Sequence, residues 1–284
     1  MDVAVVDYRA SDAPTRFTES LRTTGFAVVV NHPIDYNLVQ RLHREWLAFF
    51  KSDRKWEFLP GEHDQDGYRP LEESETALGA DLPDIKEYFH WYPWGRQPAD
   101  VSASAAAVYE AGMLLGIELL SWVEANTPRE ITKTFSIPLS QMIAGTRRTL
   151  LRILHYPPLR GDEPTGSVRA AAHEDINLLT VLPAANEPGL QVRDVDGKWY
   201  DVPCDPGSVA INAGDMLKFA SAGYYPSTTH QVTNPVGDAA KRSRLSTPLF
   251  LHPADDVVIA EDKTAFEFLR ERIKTIAGVD LAKN

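Results

Sequence analysis

The sequence holds a single His-x-Asp tripeptide among its 8 histidines, His173-Glu174-Asp175. On an extended backbone, residues two apart project from the same face. The imidazole of His173 and the carboxylate of Asp175 can therefore reach one metal ion while Glu174 points away. A third ligand is offered downstream by His230, within Ser227-Thr228-Thr229-His230-Gln231-Val232. Two imidazoles and one carboxylate on one face of an octahedral ion leave three positions open to other molecules. Fe(II) and Zn(II) both accept this donor set, so oxidation and metal-assisted hydrolysis are both open at this level.

Arg244-Leu245-Ser246 follows His230 by 14 residues and narrows the choice. By the two-residue period Arg244 and Ser246 share a face, where a guanidinium fork and a hydroxyl can meet one carboxylate together. A carboxylate inside an apolar barrel is costly unless it is paired and hydrogen-bonded, which gives the arginine a physical purpose. The sole cysteine, Cys204, excludes an intramolecular disulfide and fits a reducing compartment. In Val202-Pro203-Cys204-Asp205-Pro206-Gly207 it reads as a partly buried small side chain, not a nucleophile.

The elements that must carry these residues lie mostly after Arg148. Short runs rich in branched and aromatic residues occur at 150–156, 178–182, 189–192, 198–202, 208–212, 215–219, 229–233 and 244–251, with Pro, Gly, Asn and Asp between them. Spacings of about 8 to 12 residues predict an antiparallel sandwich or jelly roll. Before them, strands are expected at 3–6 and 26–30, and helices at 16–24 (closed by Gly25), 37–50 and 105–124. Residues 60–84 have no clear period and read as an irregular segment over the core. A final amphipathic helix over 263–277 ends at Gly278. No repeat or linker divides the chain. The expectation is one domain over 1–284, mainly β with surrounding helices: a mixed, mainly helical part at 1–149, a jelly-roll core at 150–252 carrying the metal site, and a helix at 263–278.

With 29 basic and 40 acidic side chains, the formal charge of −11 makes nucleic acid and anionic membrane surfaces poor partners. Lys241-Arg242-Ser243-Arg244 is too short a basic run to change that. Acidic residues at the start, where a secretory signal carries basic ones, and the lack of a long uninterrupted apolar run lead to the expectation of a soluble cytoplasmic protein. No pattern in the sequence fixes an oligomeric state.

These motifs together resemble the 2-oxoglutarate- and Fe(II)-dependent dioxygenases of the isopenicillin N synthase-like family, over nearly the whole chain. Gly189-Leu190-Gln191-Val192, Gly197-Lys198-Trp199, Pro203, Gly207-Ser208 and Asn212-Ala213-Gly214-Asp215 match that family's core pattern, and Arg244-Leu245-Ser246 its RxS signature. Ser227 to Val232 matches its distal-histidine segment, with Gln231 in place of the usual Arg, and Phe26 to Pro33 its N-terminal strand, with Pro33 in place of Gly. The resemblance implies a double-stranded β-helix core, with Fe(II) on His173, Asp175 and His230, and 2-oxoglutarate held through its distal carboxylate by Arg244 and Ser246. It also places Tyr156, in Arg152-Ile153-Leu154-His155-Tyr156-Pro157-Pro158, beside the cosubstrate, with Leu154 departing from the usual Asn. O2 and a small-molecule substrate complete the implied reaction, most commonly a hydroxylation; a 2-oxoglutarate-independent Fe(II) oxidase or cyclase of the same family and a catalytically silent jelly-roll binding protein are the alternatives. Tyr68, Tyr88 and His90 fall in segments that resemble the family's pocket mouth, while His155 alternates to the other face and is not counted as a ligand.

Overall fold

Phe26-Ala27-Val28-Val29-Val30 is apolar at every position because the strand it forms is covered on both faces. In the computed structural model, which describes residues 1–277 apart from 62–63, 78–79 and 261, Phe26 and Val28 face one apolar cluster and Ala27 and Val29 another. The early strands are β1 (Val5–Asp7), β2 (Phe26–Val30), β3 (Gly67–Arg69), β4 (Glu87–Trp91), β5 (Leu150–Tyr156), β6 (Ala170–His173) and β7 (Leu179–Pro183). They are followed by β8 (Leu190–Arg193), β9 (Trp199–Asp201), β10 (Val209–Ala213), β11 (His230–Val232), β12 (Arg244–Ser246) and β13 (Leu249–Leu251).

A nine-stranded sheet runs in the order β1-β2-β10-β7-β13-β5-β4-β3, with β12 also paired to β5, and a four-stranded sheet runs β6-β11-β8-β9. The two stack as a jelly roll. Between them Phe26, Leu154 and Tyr156 of the large sheet meet Leu190, Val192 and Val232 of the small one. The outer face of the large sheet carries Ala27, Leu151, Ile153, Val181 and Leu249 against α1 (Ala13–Thr24), α2 (Tyr36–Phe50) and α3 (Ser102–Asn126). α1 has Pro14 in its first turn and ends at Gly25 in the left-handed conformation. The Asp35 carboxylate caps α2 by accepting from the Asn37 amide. α3 is long and apolar enough to cross a membrane by length and composition alone, yet it buries Leu115, Leu119 and Val123 within the protein. A Cβ at Gly112 or Gly116 would press on Leu249 or Leu251, so these glycines let α3 lie close on β13.

Three features differ from the sequence expectation. Residues 215–219 do not form a strand: Asp215–Ala220 is a short helix, because a run this brief with buried Met216 and Leu217 fits either period. The stretch 244–251 is split into β12 and β13 at Thr247-Pro248, where proline has no amide to give to the ladder. Within the irregular 60–84 segment lies β3, which pairs with β4; together with β1 and β2, these strands make the N-terminal part an extension of the large sheet. The β1–β2 pair is parallel in an otherwise antiparallel framework. The last helix spans Ala265–Ala277, and Gly278 lies outside the described residues.

Candidate active site

His173 closes β6 and His230 opens β11, and the two are direct partners in the antiparallel register, with ring centroids 4.3 Å apart. Asp175 lies beyond β6, in the turn toward β7, so it reaches the histidines from a turn and not from a shared strand face. Its Oδ1 stands 3.9 Å from His173 Nε2 and 3.7 Å from His230 Nε2. One ligand atom from each of the three residues lies within 4.8 Å of the others.

Each ligand atom is aimed by a partner on its far side. His173 Nδ1 faces the Ala171 carbonyl at 2.8 Å and His230 Nδ1 the Thr228 carbonyl at 3.0 Å. A carbonyl only accepts, so each Nδ1 carries a proton, which leaves Nε2 as the position that can meet a metal. Burial, with His230 adding to it, pushes the His173 imidazolium down to about 4, which keeps the ring neutral. The Asp175 carboxylate accepts on Oδ2 from Thr180 Oγ1 at 2.5 Å and Asn212 Nδ2 at 2.8 Å, leaving Oδ1 toward the rings. Burial acts to raise this carboxyl, but the two histidines and these two donors outweigh it and hold it below the ordinary range. Two imidazoles that present Nε2 and one ionised carboxylate are a donor set that fits a divalent iron ion.

The turn carrying Asp175 is pinned by the start of the short helix. The amides of Gly214, Asp215 and Met216 donate to the carbonyls of Leu178 (3.1 Å), Asp175 (2.8 Å) and Ile176 (3.0 Å). The Asn-Ala-Gly-Asp motif therefore supplies both the side chain that orients the carboxylate and the amides that hold its backbone.

Along the β5–β12 pair, Arg244 stands opposite Tyr156 and Ser246 opposite Leu154. Arg244 is 2% exposed, with its guanidinium carbon 5.1 Å from the centre of the Tyr156 ring. Its Nε donates to the Glu187 carbonyl at 2.9 Å, while the buried Nη1 has no hydrogen-bond partner among the described residues. A buried guanidinium with an unused donor is costly in the absence of an acceptor, and a ligand carboxylate is the acceptor that matches it. Leu154, in the place of an Asn, adds to the apolar wall at this point.

Of the pocket-mouth residues, Tyr88 and His90 lie on the interior face beside Arg152, whereas Tyr68 turns to the helix side, where its hydroxyl bonds to Glu87. His155 also faces away from the metal-ligand cluster, held between Glu87 Oε1 at 2.6 Å and Ser243 Oγ at 2.9 Å. No role for Thr180, Asn212 or Arg169 is legible from the sequence alone. Arg169 is 1% exposed, its guanidinium 5.9 Å from the Tyr156 ring centre, and it donates to the Arg242 carbonyl.

The family profile described as the 2OG-Fe(II) oxygenase superfamily matches residues 148–253, and that described as the non-haem dioxygenase in morphine synthesis N-terminal region matches residues 5–108. A solved structure from Shewanella oneidensis, described as an oxygenase, is 53% identical, with 98% of this chain and 100% of that one covered at a TM-score of 0.89. Another from Caulobacter crescentus, described as a 2OG-Fe(II) oxygenase family protein, is 30% identical over 96% and 99% of the two chains at a TM-score of 0.78. The chain belongs to the 2OG-Fe(II) oxygenase superfamily. Gibberellin 2-beta-dioxygenase 4 of Arabidopsis thaliana is 26% identical over 273 residues, 89% of this chain and 80% of that protein. This oxygenase is accordingly an Fe(II)- and 2-oxoglutarate-dependent dioxygenase on a jelly-roll core. Of the chemistries open to the donor set alone, membership selects iron oxidation over zinc hydrolysis.

Proposed function

We propose that this oxygenase holds Fe(II) on His173, Asp175 and His230. We further propose that it binds the distal carboxylate of 2-oxoglutarate with Arg244 and Ser246 beside Tyr156, and hydroxylates an unactivated C–H bond of a small organic molecule. One observation supports the reading above others. Two imidazole Nε2 atoms, each with its Nδ1 held by a carbonyl, lie together with a carboxylate oxygen, and Tyr156 of the apolar interior stands beside a buried guanidinium with a spare donor. Bound iron and 2-oxoglutarate supply O2 activation, coupled to decarboxylation of the cosubstrate to succinate and CO2.

The chain's own contribution is placement. Thr180 and Asn212 fix which Asp175 oxygen faces the metal, and the Ala171 and Thr228 carbonyls fix the two tautomers. Leu154, Val192 and Val232 pack in an apolar interior, where an ion pair between Arg244 and a carboxylate is stronger than in water. Curated relatives named for gibberellin and for flavonol synthesis support a small substrate of specialised metabolism.

The test is an anaerobic titration of the Fe(II)-loaded protein with 2-oxoglutarate, followed by the weak visible charge-transfer band of the chelate. Compounds that accelerate succinate release are then run under isotopically labelled O2. A band, and one labelled oxygen in the organic product, are expected. Fe(II) binding without a band defeats the cosubstrate assignment, and an unlabelled desaturated or cyclised product defeats hydroxylation.

A further inference from the structure

We propose that Arg152 and Lys86 form an anion subsite at the mouth of the barrel that takes a carboxylate of the organic substrate, with Glu75 of the chain itself occupying it as an internal stand-in. The inference rests on the oxygenase reading above and adds the chemical class of its substrate. Arg152, Leu154 and Tyr156 alternate on the inner face of β5, while Leu151 and Ile153 face the helices, so Arg152 shares a wall with the residues assigned to the cosubstrate. Its guanidinium carbon lies 4.8 Å from the centre of the Tyr88 ring and 5.5 Å from that of Phe250. The Nε donates to His90 Nε2 at 2.9 Å, and His90 Nδ1 in turn bonds to the Gln65 carbonyl at 2.9 Å. Only the two Nη groups remain for a ligand, and both donate to Glu75, at 3.0 and 3.1 Å. That fork geometry is the one a carboxylate fills.

Lys86 completes the subsite and ties it to the metal ligands. Its Nζ lies 3.3 Å from Glu75 Oε2 and 2.7 Å from Asp84 Oδ2. Asp84 Oδ1 accepts from the Ala171 amide at 2.8 Å, two residues before His173 on β6, or roughly 7 Å along the strand. The charges balance as two cations against Asp84 and Glu75. Asp84 is locked to strand backbone, whereas Glu75 belongs to the irregular rim and its side chain is 38% exposed against 7% for Lys86. Removing Glu75 leaves one buried positive charge uncompensated, and a single substrate carboxylate restores the balance. The exchange needs only a side-chain rotation, because the Glu75 carbonyl stays bonded to the Asp84 amide at 3.0 Å. Burial acts against ionisation of Glu75, but Arg152 and Lys86 outweigh it and keep the group a carboxylate.

The test uses the full chain and acetate, with acetamide as the neutral control, at fixed ionic strength. In Glu75→Ala, acetate should raise the melting temperature saturably, with an apparent affinity at least about tenfold above that for wild type, and acetamide should not. Adding Arg152→Gln should abolish the response. Equal responses in wild type and Glu75→Ala, or a response that survives Arg152→Gln, would overturn the subsite. Glu75→Gln, which keeps the side-chain shape, gives the same reading if the alanine variant does not fold; failure of both to fold makes the pair a structural tie and also ends the proposal. The charge-transfer band with 2-oxoglutarate should persist in the Glu75 variants. Its absence from wild type would sink the cosubstrate assignment while leaving the acetate result standing. A productive substrate lacking any anionic group overturns the substrate class.

Discussion

The side-chain amide of Asn212 donates to Asp175 Oδ2 at 2.8 Å, from the strand that also pairs with β2 and β7. With Thr180 on the same oxygen, it leaves Asp175 one orientation in which Oδ1 faces both histidines. Replacing Thr180 by Val, or Asn212 by Leu, keeps the volume and removes the donor. Fe(II) or Mn(II) affinity should fall about 10- to 100-fold in each, with the far-ultraviolet circular dichroism unchanged. Metal titration at constant pH checks this; unaltered affinity in both variants would remove the orienting role.

Arg244 carries a different load: among the described residues its guanidinium meets the Glu187 carbonyl and the Tyr156 ring, not the candidate metal triad. Arg244→Gln should leave Fe(II) affinity near that of wild type and weaken 2-oxoglutarate roughly 10- to 100-fold, the expectation for a lost charge-assisted pair. Arg244→Lys keeps the charge without the fork and should recover only part of the loss. Anaerobic titrations of the two variants separate these outcomes; a parallel loss of metal binding would contradict the division of labour.

Buried neutral histidines make the fold sensitive to acid. His43 on α2 is 8% exposed, and burial, with Arg244 adding to it, pushes its imidazolium down to about 4. Between that value and the unfolded value near 6.5 the unfolded chain binds the extra proton, so stability falls as pH drops through this window and is unaffected above it. For His43 alone the loss amounts to roughly 3 kcal/mol by pH 4. His43→Leu should flatten the pH dependence of denaturant midpoints between 6.5 and 4 by about that amount, and an unchanged slope would show that His43 is not the titrating group.

How much of this was legible in the sequence depended on the range of each interaction. β2 can be read to the residue because a strand buried on both faces is an unbroken apolar run, and β5 because its branched and aromatic residues continue across Arg152 and His155. Part of the candidate metal triad is legible because His173 and Asp175 lie two residues apart in the chain. The turn that places Asp175 was not, since it is made by amides some 40 residues away, at Gly214, Asp215 and Met216. The helix at Asp215–Ala220 is indistinguishable from a strand in the sequence because six residues are too few to reveal a period. Arg152, Lys86 and Glu75 lie apart in the chain, and only the pairing of β4 with β5 and the rim beside them brings the three together.

Gly214 tests whether that turn is the rigid base of the metal centre. Its φ of −105° suits any residue, so the need for glycine there is not conformational. A Cβ at this position would collide with the carbonyl and the side-chain oxygen of Asn177, two residues after Asp175. Asn177 cannot simply yield, because its amide nitrogen is bonded to the Leu179 carbonyl at 2.9 Å and to Thr180 Oγ1 at 3.0 Å. Gly214→Ala should therefore shift the 175–178 turn and with it both Asp175 and Thr180. The expected result is a fall of about 1–3 kcal/mol in stability together with weakened metal binding, although the substituted atom touches no metal ligand. Chemical denaturation of the apo protein and metal titration of the same sample measure the two effects. A stability loss with unaltered metal affinity would mean that the turn absorbs the methyl group elsewhere and that the Gly214 amide is not what holds the carboxylate in place.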